Sequence, residues 1–177
     1  MPFYERDVDV LFSEAVVQAR VRELGAEITR DYRGREITLI GIMKGSVVFL
    51  TDLARCIDLP VVIELMGVGS YHGGTETTGE VRITHDLTKP IHDRQVMVVE
   101  DIIDTGLTMK FLLENLAARH PASIRVATLL EKPSRAKVRV PIDYRGFVIE
   151  DRFVVGYGLD WGEKYRNLPF IGVMKSD

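Results

Sequence analysis

Cysteine and tryptophan each occur once in the 177 residues, and neither sign of charge dominates. The lone thiol, Cys56, cannot close an internal disulfide, which fits a reducing compartment. It lies in an apolar, helix-like stretch and reads as a packing residue rather than a nucleophile. Lys and Arg number 23 against 26 Asp and Glu, a formal net charge of −3. Nucleic-acid surfaces need a basic footprint, so that class of partner is set aside. No apolar run reaches the ~20 residues of a membrane helix. The opening MPFYERDVDVLF mixes charges into its apolar residues and has no signal-type core. The expectation is a soluble cytoplasmic protein without nucleic-acid or membrane partners. His72, His85, His92 and His120 are scattered without metal-ligand spacing. The Gly-x-x-x-x-Gly-Lys nucleotide cradle occurs nowhere.

What is present alternates between strand-like and helix-like segments. Val17, Val21, Leu24 and Ile28 follow Ser13 at helical spacing, and Ser13 suits an N-cap. Residues 37–42 (ITLIGI) form a short apolar run typical of a buried strand. KGS follows, and then VVFLTDLARCI resumes helical character. Residues 61–66 and 95–101 read as further strands, Thr105 to Arg119 as a helix, and residues 123–131 as a fourth strand. A Pro/Lys/Arg loop and FVIEDRFVVGYG come after it. Strands alternating with helices predict an α/β fold with a parallel sheet covered on both faces. No repeat, low-complexity tract or linker divides the chain, so one domain over 1–177 is expected.

In open α/β sheets ligands bind at the carboxyl edges of the strands. Three polar loops leave such edges here: Met43-Lys44-Gly45-Ser46, Glu100 to Thr108, and Glu131-Lys132-Pro133-Ser134. The central one, VVEDIIDTGLT at 98–108, places acids beside a turn rich in N–H donors. From Asp104 to Thr108, consecutive amides at a helix N-terminus form an anion cup. Thr105 and Thr108 add hydroxyls, and Gly106 allows close approach of a phosphate. Glu100 and Asp101 stand just upstream, where carboxylates accept from sugar hydroxyls or hold hydrated magnesium. A phosphate on the cup and a diol on the acids describe a ribose 5-phosphate. The competing reading makes Asp104 a helix cap and Glu100-Asp101 a solvated strand end.

The loop matches the signature of the purine phosphoribosyltransferases. From about residue 7 to residue 173 the chain resembles the bacterial hypoxanthine (hypoxanthine-guanine) phosphoribosyltransferases. The likeness also rests on MKGS at 43–46, SY at 70–71, EKPSR at 131–135 and FVVGYGLDWGEKYRNLP at 153–169. It implies the type I phosphoribosyltransferase fold, a central parallel sheet flanked by helices. A small hood would come from the N-terminal segment and residues after about 150, and a mobile lid from about 69–80. It implies a pentosyl transfer in purine salvage: hypoxanthine or guanine attacks C1 of 5-phosphoribosyl-1-pyrophosphate through N9, giving IMP or GMP and pyrophosphate, with magnesium required.

Residue by residue, the resemblance makes Asp104 the candidate catalytic base or proton holder at purine N7. Glu100 and Asp101 become ribose- and magnesium-associated residues. Thr105, Gly106, Leu107 and Thr108 complete the phosphoribosyl pyrophosphate site with Lys44, Gly45 and Arg166, the last three toward the leaving pyrophosphate. A cis peptide is implied at Met43–Lys44. Lys132 would donate to the purine 6-oxo group and so disfavour adenine, Phe153 would stack on the base, and Val154 would offer its backbone. Asp160 would lie near a second magnesium and the base's 2-position. Ser70 and Tyr71 match the lid tip. Glu64 stands where relatives often carry aspartate or a neutral residue, with no consequence attached. A homodimer or homotetramer is expected. A xanthine-preferring transferase and a regulator built on the same fold are the alternatives.

Overall fold

The computed structural model describes residue 4 and residues 7–70 and 81–175. Its strands are β1 (Val8–Phe12), β2 (Ile37–Met43), β3 (Val61–Ser70), β4 (Val81–His85), β5 (Gln95–Ile103), β6 (Ser123–Glu131), β7 (Tyr144–Val148), β8 (Val154–Val155) and β9 (Ile171–Met174). Its α-helices are α1 (Glu14–Asp31), α2 (Val47–Arg55) and α3 (Leu107–Ala117). Six strands form the main sheet in the order β4-β3-β2-β5-β6-β7. All its pairings are parallel except the edge pair β3–β4, which is antiparallel. The α/β architecture and helix-flanked central sheet thus match the reading of the sequence, with one antiparallel edge strand added.

Alternation along β5 shows how the sheet is covered. Met97 and Val99 face the cluster that includes Val17, Val21, Leu24 and Ile28 of α1 and Phe49, Leu50 and Leu53 of α2. Val96 and Val98 face the opposite way, toward Met109, Leu112 and Leu116 of α3. A strand buried on both faces reads as a continuous apolar run, and QVMVV does so for this reason. The expected stripe of α1 is the buried stripe, and Ser13 Oγ accepts from the Val16 N–H at 3.4 Å as its cap. Cys56 follows α2 as its C-cap and is half-buried.

Differences from the reading have local causes. The helix expected from Thr105 starts at Leu107, because Gly106 adopts a left-handed φ of 81° that ends the preceding turn. Strand β3 runs to Ser70 rather than stopping at residue 66, since its last residues pair with β4. Glu64, buried in β3, accepts from Thr88 N–H at 2.9 Å and from Thr88 Oγ, so its carboxylate anchors the loop after β4. Ser70 closes β3 opposite Val81. Tyr71 and the rest of the expected lid lie outside the described residues.

A second sheet, β1-β9-β8, forms the hood from segments near both ends of the chain. Its register sets Val8 against Met174 and Val154 against Val173. Val154, Tyr157, Leu159, Ile171 and Val173 join the core beneath α1 and α2, so the hood is packed onto the sheet's helical layer. A polar knot fastens it. Tyr157 Oη donates to Asp52 Oδ2 at 2.6 Å, and Gln18 Nε2 donates to the same oxygen at 2.7 Å. Burial, with the Asp52 carboxylate as acceptor, holds the Tyr157 phenol far above its usual proton affinity, so it stays a donor. Replacing Tyr157 by Phe deletes one bond to a charged acceptor and leaves Asp52 with Gln18. A loss of about 1.5–3 kcal/mol is expected, read as a lower urea midpoint with an unchanged slope.

Candidate active site

The loops after β5 and β6 meet through backbone hydrogen bonds. Lys132 N donates to Ile103 O at 2.9 Å, continuing the β5–β6 ladder one step beyond the strands. Lys137 N and Val138 N both donate to Thr105 O, at 3.0 and 3.1 Å, so the segment after β6 folds across the central loop. At Gly106 a Cβ would collide with the Val138 carbonyl, and the positive φ adds a second reason for glycine. Leu107 N donates to Thr105 Oγ1 at 3.4 Å. Glu100, Asp104, Thr105, Gly106 and Thr108 line a pocket of about 90 Å³ at this turn. Leu107 itself opens α3 and is exposed.

Beside it lies a cleft of about 430 Å³ bordered by Asp101, Asp104, Lys132, Phe153, Val154 and Asp160. Six of the residues singled out in the sequence therefore share one wall, and Asp104 faces both spaces. Phe153 is 54% exposed, an aromatic face held open beside the buried Val154. Lys132 is buried, and among the described residues its Nζ has only a loose ion pair with Asp151 Oδ1 at 3.7 Å. A buried ammonium so loosely paired retains donors for a ligand acceptor.

Lys44, Gly45 and Arg166 form the third corner. The Met43–Lys44 peptide is cis, as the resemblance implies. A Cβ on Gly45 would fall on the Asp101 carboxylate, so the loop after β2 can lie against the tip of β5 only with glycine there. Arg166 donates from Nη1 to Gly158 O at 2.8 Å and pairs through Nη2 with Asp160 Oδ1 at 2.8 Å. Its buried Nε donates to no group among the described residues.

Electrostatically the tip of β5 is unusual. Glu100 is buried; desolvation, then the neighbouring Asp101 charge, raises its proton affinity well above the ordinary carboxylate range. Burial raises Asp101 as well, opposed by its hydrogen bonds and by Arg166. Asp101 N donates to Glu100 Oε1 at 3.2 Å, and Ile102 N donates to Asp101 Oδ1 at 2.8 Å. Asp160, by contrast, is tied to Arg166 and accepts from Glu163 N at 2.8 Å. Among the described residues no three acidic, histidine or cysteine side chains are grouped to hold one ion. Glu100-Asp101 and Asp160 are thus separate acidic positions.

Three charged residues of the site escaped the sequence reading. Arg135 pairs through Nε with Asp104 Oδ1 at 3.1 Å and through Nη1 with Asp151 Oδ2 at 3.5 Å. Asp151 therefore receives both Lys132 and Arg135. Glu163 receives Lys44 Nζ at 2.9 Å, which lowers its proton affinity. Arg135 lies three residues after Lys132 across the short 3-10 turn Pro133–Arg135, a spacing that could have signalled it. Asp151 and Glu163 carry no such signal, since an isolated surface acid is usually solvated.

Residues 10–161 match the family model of the phosphoribosyl transferase domain, and the chain belongs to that family. Within it, the chain is 49% identical over 169 residues to the hypoxanthine-guanine phosphoribosyltransferase of Staphylococcus epidermidis, across 96% of this chain and 94% of that protein. The crystal structure of a hypoxanthine phosphoribosyltransferase from Staphylococcus aureus aligns with a TM-score of 0.89 at 48% identity, covering 94% of this chain and 91% of that one. A hypoxanthine-guanine phosphoribosyltransferase from Bacillus anthracis aligns with a TM-score of 0.89 at 44% identity, covering 96% and 99%.

The Glu100 environment has a consequence for stability. A carboxyl whose proton affinity is higher folded than unfolded costs stability as pH rises through its unfolded pKa toward its folded one. Glu100→Gln removes that cost. In EDTA at pH 7 to 8 the variant is expected to melt roughly 2–4 °C above the wild type, the scale of a 1 kcal/mol change in a domain of this size. The gain should shrink as pH falls toward the ordinary glutamate pKa. Melting curves of both proteins across pH check it, and a variant less stable at neutral pH would contradict it.

Proposed function

We propose that the protein transfers the 5-phosphoribosyl group of 5-phosphoribosyl-1-pyrophosphate to N9 of hypoxanthine or guanine, as a purine-salvage enzyme. The observation that carries this reading is the position of Asp104, facing the pocket of Thr105, Gly106 and Thr108 on one side and the cleft of Lys132 and Phe153 on the other. It is supported by relatives named hypoxanthine-guanine phosphoribosyltransferase at 47 and 49% identity.

In this reading the amides and hydroxyls of Thr105 to Thr108 hold the 5-phosphate, and Glu100 and Asp101 hold the ribose diol. N9 forms its bond to C1 while the C1–O bond breaks, and that electron pair leaves with pyrophosphate. Positive charge developing at the anomeric carbon is favoured by fixed carboxylates in a poorly solvated site. Asp104 holds the proton at N7 as the base gains a bond at N9. Its partner Arg135 keeps the carboxylate oriented toward the cleft wall. Lys132 donates to the 6-oxo group, Phe153 stacks on the ring, and the backbone of Val154 meets the base edge. An adenine 6-amino group would face Lys132 donor to donor, which a buried site penalises. Lys44, Gly45 and Arg166 receive the leaving pyrophosphate, and Ser70 and Tyr71 belong to a lid that excludes water.

Magnesium fits this donor set. Glu100 and Asp101 are adjacent hard-oxygen acids with raised proton affinity, and neither forms an ion pair among the described residues. Glu100 and Asp101, with Asp160 as a separate acid on the same cleft, would hold the ion, which ordinarily keeps several of its waters. Bound there, magnesium supplies charge neutralisation between carboxylates and pyrophosphate. A cytoplasmic homodimer or homotetramer accompanies this reading; no helix of the described chain is long and apolar enough to cross a membrane.

A panel of hypoxanthine, guanine, xanthine and adenine with phosphoribosyl pyrophosphate, followed as nucleotide formed with magnesium or EDTA, tests the reading. Turnover of hypoxanthine and guanine, little of adenine, and none without the metal is the expected pattern. Failure with every base overturns it. Asp104→Asn is expected to lower kcat by about 10²-fold or more, the range of a lost general base, while retaining pyrophosphate binding. A drop of only a few-fold would leave Asp104 as an ion-pair partner of Arg135 rather than a catalytic group.

A further inference from the structure

The leaving-group corner contains an anion of its own. Glu163 lies between the two cations assigned to pyrophosphate: its Oε2 accepts from Lys44 Nζ at 2.9 Å, and its Oε1 lies 3.4 Å from Arg166 Nη2. These cations reach it from different parts of the fold, Lys44 from the loop after β2 and Arg166 from the segment before β9. The backbone beneath the carboxylate adds a second observation. Glu163 has φ of 67° and follows Gly162 at 57°, in the left-handed region that glycine and asparagine favour. Glu163 N is pinned there by Asp160 Oδ2 at 2.8 Å, and Trp161 and Lys164 bridge across the turn. A turn alone would be better served by glycine or asparagine at this position. What a glutamate adds is a carboxylate that both cations reach.

We propose that Glu163 is an internal counter-anion of the leaving-group site, exchanging places with a pyrophosphate oxygen on Lys44 and Arg166 and thereby setting how tightly pyrophosphate is held and how readily it leaves. The inference rests on the transferase reading for the identity of the anion. Before pyrophosphate binds, the carboxylate keeps the long Lys44 side chain beside Arg166. As pyrophosphate departs, the same carboxylate takes up Lys44 and shares Arg166 with Asp160, so the product need not leave Lys44 uncompensated. Product release limits many enzymes of this general kind, and a competing anion loosens that step. The Lys44 and Glu163 side chains are 68 and 65% exposed, so the competition is modest. Exposed pairs of this sort translate into roughly a 1.5- to fivefold change in affinity.

The test is calorimetric titration of the full-length protein with inorganic pyrophosphate in magnesium, comparing wild type, Glu163→Gln and Glu163→Gly. Both variants are expected to bind pyrophosphate roughly 1.5- to fivefold more tightly. In turnover both should show stronger inhibition by pyrophosphate, with KM for hypoxanthine unchanged. Unaltered or weaker binding by Glu163→Gln overturns the proposal. So does tightening confined to Glu163→Gly, which would assign the effect to the turn rather than to the charge. Nucleotide formation by the wild type reads the transferase assignment separately, because the titration requires no catalysis.

Discussion

The site depends on one continuous ladder between β5 and β6. It sets Glu100 opposite Thr128 and Ile103 opposite Glu131, and its final rung is the Lys132 N–H on the Ile103 carbonyl. Register on a parallel ladder has a period of two, so a slip of one residue would turn every side chain to the other face. The apolar residues of both strands, buried on both sides, make such a slip costly. Asp104 and Lys132, distant in sequence, are consequently neighbours at the same edge of the sheet. The stiffness belongs to the hydrophobic layers, and the chemistry is delegated to the residues where the ladder runs out.

Charge is arranged around that edge in chains rather than pairs. Lys132 and Arg135 meet on Asp151, Arg135 continues to Asp104, Lys44 and Arg166 meet on Glu163, and Arg166 continues to Asp160. Each cation that could serve a ligand is thus kept in place by an acid that tolerates water. Glu100 and Asp101 are the exception, buried together and mutually repelling. Natural proteins accept such local penalties at functional positions and offset them in the core.

Much of this was legible in the sequence, and the reasons differ by element. The buried strands announced themselves because two-sided burial leaves no room for polar residues, and α1 did so because one stripe faces the core. The loop from Glu100 to Thr108 was legible because its chemistry is local: acids, hydroxyls and glycine lie within nine positions. The hood strands were harder. Strand β1 carries Asp9 between Val8 and Val10, β8 has two residues and β9 four, so periodicity has little to act on. Strand β4 pairs only at an edge and is half-exposed. Arg135, Asp151 and Glu163 were not legible, because their significance lies in which distant charge they meet. No local pattern in the chain encodes that meeting.

The hood also carries a constraint imposed by its topology. Val8 pairs with Met174, more than 160 residues along the chain. Closing so long a loop carries an entropic cost that only the completed sheet and core repay. The cleft wall at Phe153 and Val154 therefore depends on pairing with β9, whereas the turn after β5 is braced by the segment that follows β6. The two sides of one cleft thus rest on chain closures of very different length.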